Sequence, residues 1–129
     1  MRLNKGHAKR IFDWCKENYG RSKYAKYPYF SIKKFNDYDE EGLDGYYEPI
    51  TNFVYVNSDI LNSGDEHYLA STIIEEYIHY TQSDSEYQRL AKIYDHDEHP
   101  YEIYAKRKSN IDSKKCIKYL KLMFNSFNL

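Results

Sequence analysis

The sequence holds only three prolines, five glycines and two cysteines among its 129 residues. Cys15 and Cys116 lie far apart and form no Cys-x-x-Cys pair, which excludes a disulfide framework and a thiolate zinc site and leaves both thiols reduced. No apolar run approaches the roughly 18 residues of a membrane-spanning helix. The opening stretch MRLNKGHAKR is charged from its second residue and lacks the apolar segment of a secretory signal, so the expected location is the cytoplasm. An excess of one charge is missing too: 19 basic residues face 20 acidic ones, for a net charge of -1. Neither nucleic acid nor a membrane is therefore an expected partner, although residues 106–121 are locally basic. There is no internal repeat, no Gly-rich phosphate loop and no serine in a Gly-x-Ser-x-Gly turn, and Cys15 falls on an expected core stripe. Nucleotide cradling and serine or cysteine nucleophiles drop out on those grounds.

Tyrosine, by contrast, is abundant, with 16 residues that cover apolar surface while keeping a hydroxyl available. The length fits one domain, residues 1–129, able to bury about two-thirds of its unfolded surface. Residues 4–19 set Ala8, Ile11, Phe12, Trp14, Cys15 and Tyr19 at helical spacing, and Gly20 ends that helix. Aromatic and β-branched residues then predict strands at 29–35, 45–48 and 53–57, a short antiparallel meander or mixed sheet, with Pro49 at a turn or edge. Ser63 and Glu66 read as a capping box opening a helix to about residue 81. Residues 82–95 are weakly helical, DHDEHP is an acidic interruption, Pro100 starts a further helix, and a last amphipathic helix covers 111–124. The fold class is α+β.

Chemistry concentrates in TIIEEYIHYTQ, residues 72–82. At helical pitch, Leu69, Ala70, Ile73, Ile74, Tyr77, Ile78, Tyr80 and Thr81 fill one half of the cylinder. The other half carries Thr72, Glu75, Glu76, His79 and Ser83. Glu75 and His79 are four apart, stacked ~5–6 Å from each other, so both can grip one ion from a single rigid element. Glu76, one step round, stands where a general base would polarise a water on that ion. A third ligand must come from elsewhere, and HPYEIYA offers Glu102, with the small Ala105 one turn later to let two helices approach. The competing reading is a solvated polar arc with no ion. His99, beside Pro100, reads as a helix cap, His96 as part of a solvated loop, and His7 and His67 as surface residues; His96 or His99 could also replace a missing imidazole if the loop folds over the site. Tyr80, Tyr101 and Tyr104 flank the motif, with Tyr80 on the packing arc. Tyr46, Tyr47 and residues 53–56 would form the strand beside a cleft.

The order of NFVYVN as a strand, TIIEEYIHYTQ as a helix and HPYEIYA as a later segment resembles the minimal single-domain zincins, the His-Glu-x-x-His metallopeptidase-like proteins of phages and bacteria. The resemblance implies a zincin-like fold, with a short sheet packed on the motif helix and flanking N- and C-terminal helices. It further implies His79 and Glu102 as metal ligands and Glu76 as the base, with Glu75 standing where the family has its first His. The implied cofactor is a divalent metal ion, zinc by resemblance. Because Glu75 adds a negative charge, harder ions such as Mn²⁺ or Fe²⁺ come into play and the bound water is less acidified. Two functions stay open: a metal-dependent hydrolase cleaving peptide bonds through a water activated by Glu76, or a catalytically inactive, zincin-like accessory protein of phage or mobile-element origin. The implied partner in either case is a peptide or protein in the cleft.

Overall fold

A computed structural model describes residues 3–124. Helix α1, Lys5–Tyr19, starts on a reciprocal cap: Asn4 accepts from the His7 backbone N–H, and His7 Nδ1 accepts from the Asn4 N–H, both at 3.0 Å. His7 is thus a buried capping residue, not the surface residue expected. Gly20 ends the helix at φ 71°, a conformation that favours glycine.

Strands β1 (Tyr29–Lys33), β2 (Gly45–Glu48) and β3 (Phe53–Asn57) form one mixed sheet in the order β1-β3-β2. β2 pairs antiparallel with β3, but β1 pairs parallel with it, so the antiparallel meander is corrected. A parallel pair needs a crossover of about a dozen or more residues. The segment between β1 and β3 supplies it and delivers β2 to the far side. β1 also stops two residues short of Phe35, whose ring leaves the ladder to pack 5.4 Å from Tyr46. Val54 and Val56 point inward with no exposure, and the alternate Phe53, Tyr55 and Asn57 face outward.

The short α2 (Asp59–Ser63) closes on Gly64, and α3 (Glu66–Thr81) follows. Asp65, not Ser63, caps α3 by accepting from the Tyr68 N–H at 3.0 Å. Ser63 belongs to α2, where its hydroxyl donates to Ile60 O at 2.6 Å, and Glu66 turns to an ion pair with Lys121 at 2.5 Å. After α4 (Asp84–Ala91) and a 3₁₀ turn (His96–Glu98), α5 runs unbroken over Pro100–Met123. The two helices expected there are one, because no proline or glycine interrupts the stripe Ala105, Ser109, Asp112, Cys116, Leu120 that it buries.

α3 is the hub, packed on α5, α1 and the sheet. Tyr77 and Tyr80 sit beneath it fully buried, and their hydroxyls donate to Gly20 O at 2.6 Å and Lys26 O at 2.8 Å, fastening the α1–β1 connection to the core. On the opposite flank Gly45 lets β2 lie directly on the helix. A Cβ there would meet Tyr55 O at 2.8 Å, Thr72 Cγ2 at 3.2 Å and Glu76 Cγ at 3.3 Å. Because the nearest clash is with backbone, Gly45→Ala is expected to destabilise the protein by about 1–3 kcal/mol, as overpacking does. Urea unfolding measures this, and an unaltered midpoint would mean β2 is not held as closely between the β3 backbone and α3 as described.

Candidate functional site

A cavity of about 570 Å³ opens between β2, α3 and α5, lined by Gly45, Tyr47, Glu75, Glu76, His79 and Glu102 among others. β2 is the strand beside it, and β3, expected at the cleft, lies one strand further in. The four residues singled out from sequence therefore meet in one place. Their individual positions differ in ways a helical projection does not foresee.

His79 and Glu102 are in direct contact, Nε2 to Oε1 at 2.9 Å, with both side chains largely buried. The other oxygen of Glu102 accepts from the Tyr87 hydroxyl and lies 3.1 Å from His96 Nε2. On its far side the His79 ring is held by Gln82, Nδ1 to Oε1 at 2.8 Å. Burial alone would lower the His79 pKa, but its hydrogen bond to Glu102, the charges of Glu76 and Glu102 and the Gln82 contact outweigh that and hold it at about 9. Burial acts to raise Glu102, and the hydrogen bonds from His79 and Tyr87 reverse it, leaving a carboxylate at about 2. Both shifts favour the imidazolium–carboxylate form of the pair.

The other two glutamates are less well served. Burial, partly opposed by His79, raises the Glu75 pKa, and among the described residues none donates a hydrogen bond to it. Glu76 is 7% exposed, tucked under β2; burial pushes it up to about 8, opposed in part by the His79 charge and the Tyr47 N–H and reinforced by the charges of Glu75 and Glu102. The base candidate thus lies deeper than its helical phase suggested, because Gly45 brings the strand down over it.

His99 is the cap expected beside Pro100. Its Nδ1 accepts from the Tyr101 N–H at 3.1 Å, and Nε2–H donates to Tyr87 O at 3.0 Å. With both nitrogens engaged and 1% exposure, it has no lone pair to offer an ion. Tyr80 is a core residue, as its phase predicts. Tyr101 and Tyr104 do not line the cavity. Sequence reasoning missed Gln82 and Tyr87. Gln82 had a signal, lying three residues after His79 on adjoining helical surface; Tyr87 had none, since it reaches Glu102 only through the fold.

Among the described residues no three His, Cys, Asp or Glu side chains already surround a common point as metal ligands would. Glu102 touches both imidazoles directly, His79 through Oε1 and His96 through Oε2. In donor type the set nevertheless suits a divalent cation. Gln82 accepts at His79 Nδ1, the arrangement that leaves Nε2 as the ligating nitrogen, and two further carboxylates with raised pKa values stand beside it. An ion would take the place of the proton between His79 and Glu102. No protein-family model, curated protein or solved structure matches the chain.

Since His99 caps α5 and stacks on Tyr87 at 4.1 Å, His99→Ala should lower stability by about 1–3 kcal/mol through loss of a cap and a buried hydrogen bond. Thermal unfolding reads the loss. An unchanged midpoint would mean the imidazole does not carry the start of α5.

Proposed function

We propose that the cleft is the active centre of a small metal-dependent hydrolase, metallopeptidase-like, that acts on an amide bond in an extended peptide. The observation that carries it is the meeting of His79 and Glu102 at 2.9 Å, from two helices far apart in sequence, on the wall of a cavity that also holds Glu75 and Glu76. His79 and Glu102 are the candidate ligands, Glu75 is the third that helical spacing offers, and a divalent ion held there would supply Lewis acidity toward water and a carbonyl oxygen. Gln82 orients His79, and Tyr87 orients Glu102. Glu76 takes a proton from the attacking water and returns it to the leaving amine. β2, an edge strand of the sheet beside Glu76, would offer a bound peptide a strand to pair with.

A second reading has its own support. Glu76 is buried beneath β2 and raised to about 8, and the His79–Glu102 pair is satisfied without an ion. Those features suit a zincin-like protein that binds a partner in the cleft and performs no chemistry.

Metal content and one substitution separate the two. Purified protein equilibrated with Zn²⁺, Mn²⁺ or Fe²⁺ and then desalted is expected to keep one of them near one ion per chain by plasma emission spectrometry. Retention of none sinks the hydrolase reading. With metal bound, Glu76→Gln should abolish cleavage of a mixed peptide library and leave metal content intact. Wild-type protein that holds metal and cleaves nothing favours the binding protein.

A further inference from the structure

We infer that His96 is the second imidazole of this cation site, making His79, His96 and Glu102 the ligand set for zinc and leaving Glu75 outside it. The inference rests on reading the cleft as a cation centre. Both His79 and His96 direct Nε2 at the same carboxylate: His79 stands 2.9 Å from Glu102 Oε1 and His96 3.1 Å from Oε2. Gln82 Oε1 lies 2.8 Å from His79 Nδ1, the kind of outer partner that metal-ligating histidines use to present Nε2; the neighbour of His96 Nδ1 is the exposed Asp97, at 3.5 Å.

The segment carrying His96 is anchored rather than free. Tyr94 N–H donates to Leu90 O at 2.9 Å where α4 ends, and His99, three residues on, is locked as the buried cap of α5. The 3₁₀ turn between these anchors therefore holds His96 over the cavity mouth. Packing does not force the imidazole there, since its side chain is 74% exposed. The placement follows from what Glu102 offers.

Charge supplies a second argument. Two imidazoles and one carboxylate make the His₂Glu set found at catalytic zinc, whereas Glu75, His79 and Glu102 would present two carboxylates and favour harder ions. With His96 included, zinc has three protein ligands and Glu75 is not required.

Calorimetric titration of Zn²⁺ into the full chain tests this, comparing wild type with His96→Ala, His96→Gln and Glu75→Gln. Gln keeps a hydrogen-bond donor toward Glu102 but is a poor zinc ligand. Both His96 variants should lose zinc affinity by on the order of 100-fold or more, beyond what removing a merely orienting group does, while Glu75→Gln stays within about 10-fold. Unchanged unfolding midpoints in the His96 variants exclude a folding effect. Any smaller loss on replacing His96, or an equal loss on replacing Glu75, overturns the assignment and leaves the cation reading standing. Wild-type protein that binds no zinc removes both.

Discussion

The arrangement hangs on one problem in electrostatics: three glutamates, Glu75, Glu76 and Glu102, share a half-closed cavity with the imidazoles of His79 and His96 and the ammonium of Lys106. Carboxylates withdrawn from water need protons, hydrogen bonds or cations. Each of the three reaches a different settlement. Glu102 is ionised, bracketed by His79, Tyr87 and His96; Glu76 is driven toward its neutral form beneath β2; Glu75 remains half-buried with its pKa raised. The His79–Glu102 contact also joins α3 to α5, the two longest helices, within their packed interface. Removing either partner of such a pair would strand the other charge, at a typical cost of about 3–5 kcal/mol.

That settlement depends on close packing around α3. Gly45 admits β2 to within contact of Thr72 and Glu76, Ala105 is fully buried where α5 begins, and Tyr77 and Tyr80 pull the α1–β1 connection against the other flank. The helix is consequently walled on nearly all sides, and its polar arc faces a cavity instead of bulk water. An isolated amphipathic helix carrying the same residues would solvate Glu75, Glu76 and His79 and hold each near its ordinary pKa. Burial imposed by neighbours, more than the identity of the side chains, gives the cluster its unusual charge state.

This also explains which parts were legible from sequence. Helical phase and i,i+4 spacing are local, so α1, α3, the placement of Glu75 and His79 on one face, and the His99 cap beside Pro100 could be read directly. The strand segments were visible from residue type, yet their pairing was not, because parallel and antiparallel partners of β3 differ only in the path of the chain between them. Asp65 displaced Ser63 as the α3 cap because Gly64 ends a short helix no periodicity announced. His7 looked like a lone surface imidazole until its capping bond with Asn4 placed it at the third position of α1. Glu102 was reachable by analogy of order and spacing, whereas Tyr87 and His96 join it only when α4 and the 3₁₀ turn bring them across.

The glutamate at position 75 takes on a different meaning in this setting. If that side chain had to serve as a ligand, the site would carry one negative charge too many for effective acidification of water, and loss of chemistry would be the natural outcome. An imidazole delivered by the loop before α5 would change the balance, since the ligand charge would return to that of a His₂Glu centre and Glu75 would not be needed as a ligand. The position of the donors along the chain would then differ while the charge and donor type around the ion stay the same. Such a site would tolerate substitution on the helix because its requirement would be for two nitrogens and one carboxylate converging in space, and α3, the loop and α5 are held together by contacts that do not involve position 75.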